Sequence, residues 1–249
     1  MSPHEQNANP SQNHTGNFML KEIHDQSRLL SEIIDRNTRS DLNQLKLLGS
    51  ELSIERLKSF KNIILLGMGS SLHAGMVAKL WFERIARIKS ESDNSSEFKD
   101  RNPIINENTL VISISQSGET ADTLSAVKKA KEYGALTLGV VNVVGSSIAR
   151  ETDCGVYMHA GPEIGVASTK AFTSQVVSMS LIGNYISQQL NLSMSSKILS
   201  DIKKLPLAIE EILNLSDQIL NISKKFSNAK NFLYLGRGYQ FPVALEGAL

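Results

Sequence analysis

Three short runs of this sequence set hydroxyl side chains beside glycine at the ends of apolar segments. They are Gly67-Met68-Gly69-Ser70-Ser71, Ser115-Gln116-Ser117-Gly118-Glu119-Thr120 and Gly165-Val166-Ala167-Ser168-Thr169-Lys170. Ser and Thr hydroxyls both donate and accept hydrogen bonds, so such runs suit phosphate oxygens and sugar hydroxyls alike. Glycine lets the backbone approach a ligand closely, and a helix opening just after each run aims unpaired N–H groups at an anion. A single Ser-rich turn reads as a helix N-cap. Three at the same edge of one sheet read as a site for a phosphorylated polyol. Each hydrogen bond to a charged group contributes about 1.5–3 kcal/mol, so several suffice for micromolar to millimolar binding. Glu119 is the one acidic group in these runs, and capping the helix after it is its expected task.

Other phosphate and catalytic signatures fail on inspection. Gly67-x-Gly69 would need glycine at position 72 for a dinucleotide fingerprint, and Leu72 stands there. Ser168-Thr169-Lys170 lacks the glycines that precede a P-loop lysine. Ser125-x-x-Lys128 has an S-x-x-K spelling but falls inside a helical pattern without companion motifs. The five histidines (His4, His14, His24, His73 and His159) show no metal-ligand spacing. No metal and no cofactor are expected. The single cysteine, Cys154, excludes a disulfide within the chain and reads as a small residue near a strand start.

Alternating strands and helices must position these runs. Asn62 to Leu66 is an apolar run ending at Gly67, the pattern of a strand buried on both faces. A helical stretch from about Ser71 to Arg87 comes next. Then come a strand over Thr109–Ser115, a helix over Thr120–Tyr133, a strand over Leu136–Asn142, a short strand over Gly155–His159 and a long helix from about Thr169. Five strand–turn units fit within residues 60–190. The expected architecture is α/β, a three-layer αβα sandwich with a mostly parallel five-stranded sheet of flavodoxin-like type and flanking helices. Ligands of such sheets bind outside the carboxyl ends of the strands. Residues 1–17 read as a disordered polar lead-in, 18–59 as a helical segment and 191–229 as a helical connector. Residues 230–249 read as the truncated start of a second, similar domain. Lys230-Asn231-Phe232-Leu233-Tyr234-Leu235-Gly236-Arg237-Gly238 repeats the pattern of Lys61 to Gly69, so a strand is expected over Phe232–Leu235. Without its own sheet, that tail is expected to be poorly ordered or taken up in an oligomer interface.

Composition bounds the partners. The chain has 249 residues, 41% hydrophobic and 20% charged, which is ordinary globular composition. Its 26 basic and 25 acidic residues leave a formal charge of +1, arguing against a broad nucleic-acid surface. Residues 171–187 are uncharged, but Thr173, Ser174, Gln175, Ser178, Ser180 and Asn184 mark a buried helix rather than a membrane span. No secretory signal is seen in the polar start, so a soluble, cytoplasmic protein is expected.

Several of these runs resemble one enzyme family. Ser115 to Leu124, Asn142-Val143-Val144-Gly145-Ser146-Ser147, Ala160 to Thr173, Leu235-Gly236-Arg237-Gly238-Tyr239 and Ala244-Leu245-Glu246-Gly247-Ala248-Leu249 are similar to the isomerase part of the glutamine–fructose-6-phosphate aminotransferases, within the sugar isomerase (SIS) superfamily. The resemblance covers roughly Asn17 to Leu249. It implies a first SIS domain and the beginning of a second, in an enzyme that makes glucosamine 6-phosphate from fructose 6-phosphate and ammonia and assembles as a homodimer. Carried over by position, Ser70, Ser71, Ser115, Gln116, Ser117 and Thr120 would bind the sugar phosphate, and Val166 and Ser168 would line the sugar. The family's first loop usually reads Gly-Thr-Ser, and Gly69-Ser70-Ser71 keeps the hydroxyl.

The departures concern catalysis. The family's glutaminase uses an N-terminal cysteine, whereas this sequence begins Met1-Ser2, so glutamine hydrolysis is not expected of it. The glutamate that moves the C1–C2 proton, the ring-opening histidine and the Schiff-base lysine have no counterpart before Leu249. Three readings are open. The chain is a sugar-phosphate-binding part of the aminotransferase, inactive alone; or a non-catalytic SIS module that senses a phosphosugar; or a stand-alone dimeric isomerase using Glu119 or His73 as base. Residues 1–60 show no basic recognition helix, which disfavours the second. The absence of an evident base disfavours the third.

Overall fold

A computed structural model of the chain describes residues 18–39, 44–45, 52–192 and 195–249. The expected lead-in of residues 1–17 lies outside them.

Five strands form one all-parallel sheet: β1 (Asn62–Gly67), β2 (Lys89–Asn94), β3 (Thr109–Ser115), β4 (Leu136–Val141) and β5 (Cys154–Tyr157). Their spatial order is β2-β1-β3-β4-β5. Successive side chains of the central strands go to opposite faces. Ile63, Leu65, Leu110, Ile112 and Ile114 join one core, and Ile64, Leu66 and Val111 join another. Helices α3 (Ser70–Trp81) and α7 (Lys170–Gln189) cover the first face through Ala78, Met179, Ile182 and Ile186. Helices α4 (Ser95–Phe98) and α5 (Ala121–Glu132) cover the second through Phe98, Ala126 and Ala130. Each fully buried Leu, Ile or Phe stabilises this arrangement by about 1.5–3 kcal/mol. The three-layer expectation holds.

Before the sheet lie α1 (Phe18–Arg36) and α2 (Ile54–Ser59). The apolar stripe of α1, Leu30, Ile33 and Ile34, packs on Val177 and Leu181 of α7 as an outer layer. The expected helix after β1 stops at Trp81 and continues as a wider π-helical turn, Phe82–Ala86, closed by Arg87 in the left-handed region. A short α6 (Ser147–Glu151) precedes β5. Among the described residues no helix is long and apolar enough to cross a membrane, and the serine-rich stretch of α7 is buried among the other helices instead.

The connector folds as α8 (Ser195–Ile202), α9 (Leu205–Leu213) and α10 (Ser216–Lys225). Phe232–Leu235 belongs to no ladder. The chain then turns into a last helix, α11 (Gln240–Ala248), seated against α3 with the Tyr239 ring 5.5 Å from that of Trp81. Phe232, Leu233, Leu235, Ile219 and Leu220 stay exposed.

Candidate functional site

The sheet order places the crossover from β1 on one face and that from β3 on the other, although the two strands are neighbours. A crevice therefore opens between their carboxyl ends, the topological switch point where open α/β sheets take ligands. Leu66 is level with Ser113, and this register carries Met68 alongside Ser115. The first two hydroxyl-rich runs thus leave the sheet side by side.

The second run is a tightly bonded turn. Ser115 is buried at the end of β3, and its Oγ accepts from the Gly118 amide at 3.0 Å and shares a hydrogen with Thr120 Oγ1 at 3.1 Å. Ser117 Oγ accepts from the Glu119 amide at 3.1 Å. The Gln116 carbonyl accepts from the Asn142 amide at 3.3 Å, tying the turn to the end of β4. Gly118 has φ +66°, and a Cβ there would lie 2.0 Å from Ser146 Oγ. Only glycine fits at this point. The hydroxyl inventory decides what the turn can do. Ser117 uses a lone pair within the chain and keeps its proton, and the Ser115–Thr120 pair keeps one proton between them. Glu119 is not the cap of α5. Its Oε1 accepts from the Ser147 amide at 2.8 Å at the start of α6, because the turn folds back over that helix. The hydrogen bonds from Ser147 and the nearby Arg150 hold its carboxyl below the usual carboxylate value.

The first run opens α3 after Gly69 at φ +50°. Ser71 is buried, and its Oγ accepts from Gln175 Nε2 at 2.9 Å, so it too keeps a proton to give. Ser70 differs. Its Oγ donates to Glu246 Oε1 of α11 at 2.5 Å, while His73 Nδ1 lies 2.7 Å from Glu246 Oε2.

The third run is held by two carboxylates. Glu163 Oε1 accepts from the amides of Thr169 at 2.9 Å and Ala171 at 3.1 Å, and its Oε2 accepts from Ser168 Oγ at 3.2 Å. The buried Glu22 of α1 accepts from the amides of Ile164 at 2.5 Å and Gly165 at 3.1 Å. An acidic side chain already caps the N-terminus of α7, so the expectation of a third open helix end for an anion is corrected. Val166 is fully exposed, and Lys170 is buried 3.7 Å from Asp25. Asn142 links this run to the sheet, donating to the Gly161 carbonyl at 2.7 Å and accepting from the Ala160 amide at 2.6 Å.

The structure therefore gathers Ser115, Gln116, Ser117 and Thr120 in one turn and sets Ser70 and Ser71 on the neighbouring strand's exit. Val166 and Ser168 sit on the loop before α7, whose Gln175 reaches Ser71. Residue-type reasoning missed Glu163, Glu22, Gln175 and Glu246. Glu163 carried a signal, a carboxylate closely preceding a helix start. The others act across more than a hundred positions and leave no local trace. Among the described residues, no group of three or more His, Cys, Asp or Glu side chains could hold a metal ion.

Known proteins share this fold. Residues 56–184 match the SIS domain family. A glutamine–fructose-6-phosphate aminotransferase of Chlorobaculum tepidum is 47% identical over 234 residues, which are 93% of this chain and 38% of that protein. The corresponding Bacteroides thetaiotaomicron protein is 43% identical over 93% of this chain and 38% of its own length. The chain thus spans about two fifths of the length of these curated relatives. Among solved structures, the C-terminal domain of the Francisella tularensis glucosamine–fructose-6-phosphate aminotransferase superposes with a TM-score of 0.88 at 35% identity, covering 93% of this chain and 66% of that one. With a matching domain over more than half of its residues, on this sheet and around this turn, the chain belongs to the SIS domain family.

Proposed function

We propose that this chain is the fructose 6-phosphate-holding part of an isomerizing aminotransferase that makes glucosamine 6-phosphate. One observation carries the reading: at the switch point, Ser117, Ser71 and the Ser115–Thr120 pair keep hydroxyl protons unspent inside the chain. Such donors, with the backbone of Gln116 and Ser117 in the turn that leads into α5, suit a phosphate dianion. Val166 and Ser168 line the sugar, and Ser70 stands beside Ser71 at the same edge. The names of the relatives supply the substrate and the reaction. The role proposed for these loops is to hold the sugar phosphate, not to move protons or form an imine. Cytoplasmic location and assembly as a homodimer belong to the same proposal. The exposed apolar side chains of α9, α10 and residues 232–235 support a covering partner surface.

Isothermal titration with fructose 6-phosphate tests this. Saturable binding is expected, with Ser117→Ala weakening it about tenfold to a hundredfold, the loss of one charged hydrogen bond. Equal binding by wild type and Ser117→Ala would overturn the assignment of the phosphate to this turn.

A further inference from the structure

The two neighbouring serines of the first run are wired in opposite senses. Ser71 Oγ accepts from Gln175 and retains its proton, whereas Ser70 Oγ gives its proton to Glu246. Glu246 is a half-buried carboxylate with both oxygens engaged, one by Ser70 and the other by His73 Nδ1 at 2.7 Å. A carboxylate accepts and cannot donate, so the direction of the Ser70 bond is fixed by chemistry. What remains on Ser70 is its two lone pairs.

We infer that Glu246 is a specificity-determining positioning residue. By holding the Ser70 proton it turns Ser70 into an acceptor that reads a hydroxyl of the sugar rather than a phosphate oxygen. Ser71, turned the other way, is left to the phosphate. α11 thereby contributes to sugar selection although it touches the site through another residue. This rests on the proposed function, since it assumes that a sugar phosphate occupies the crevice.

The test titrates the 249-residue chain with fructose 6-phosphate and, separately, with inorganic phosphate, which has no sugar hydroxyl to read. Glu246→Ala and Ser70→Ala are each expected to weaken fructose 6-phosphate binding roughly threefold to tenfold, one neutral hydrogen bond, and to change phosphate binding less than about twofold. The double variant is expected to lose no more than either single variant, because both remove the same contact. Ser70→Thr, which keeps the hydroxyl, is expected to retain the wild-type preference. Equal losses for both ligands would show a merely structural contact and overturn the inference, as would additive losses in the double variant. Failure of the wild type to bind fructose 6-phosphate would instead overturn the proposed function, and this inference with it.

Discussion

Replacing Gly118 by alanine attacks the hydroxyl-rich turn after β3 at its tightest point. The new Cβ would lie 2.0 Å from Ser146 Oγ and 2.5 Å from Ser146 Cβ, in a backbone held at φ +66°. Two costs add. The left-handed conformation costs an L-residue about 1–2 kcal/mol, and forcing a methyl group into a filled space costs about 1–3 kcal/mol. Ser146 cannot rotate out of the way, because the collision includes its Cβ, and the residue is buried. The expected loss is about 2–5 kcal/mol, a large share of the roughly 5–15 kcal/mol that holds a domain together. Urea unfolding reads this directly as a lower midpoint. Adding Ser146→Gly to the alanine variant removes the collision and leaves the backbone penalty. The pair is therefore expected to recover about 1–3 kcal/mol. A Gly118→Ala variant within about 0.5 kcal/mol of wild type, or a double variant no more stable than the single, would refute the reasoning.

Two further variants probe the supports of the site. Glu163→Ala removes the cap of α7 and is expected to cost about 1–2 kcal/mol, with faster hydrogen exchange at the Thr169 and Ala171 amides; unchanged exchange there would count against the capping role. Asp153 joins the starts of β4 and β5, accepting from the Thr137 amide at 2.9 Å and hydroxyl at 2.8 Å, with Lys131 at 3.2 Å. Partial burial raises its carboxyl, but these bonds and Lys131 outweigh it and hold the group below its ordinary 3.8. A lowered carboxyl contributes stability above that ordinary value and loses it as pH falls through the folded value. Asp153→Asn is therefore expected to cost about 1 kcal/mol at pH 7, with the difference from wild type closing below about pH 4. A difference that is the same at neutral pH and about pH 3 would contradict this.

The layered sheet was legible because its central strands are continuous apolar runs such as Asn62–Leu66, which only a doubly covered strand needs. β2 was not. Lys89-Ser90-Glu91-Ser92-Asp93-Asn94 is polar, and it is a strand because the backbone of β1 pairs with it at the sheet edge. Phe232–Leu235 is the converse case, apolar enough for a strand but paired with none. Pairing is a non-local property, and side-chain pattern reports it only when both faces are buried. The site divides the same way. Glycine and hydroxyl residues after a strand mark Ser115–Thr120 locally. Which hydroxyls still hold a proton depends on Gln175 and Glu246, 104 and 176 positions from their serines.

The most direct measurement is a crystal structure of the chain with fructose 6-phosphate bound. The phosphate is expected at the β1/β3 edge, within hydrogen-bond distance of the Ser71 and Ser117 hydroxyls and of the Ser115–Thr120 pair. A phosphate seated instead at the start of α7, or a sugar bound away from that edge, would contradict the account.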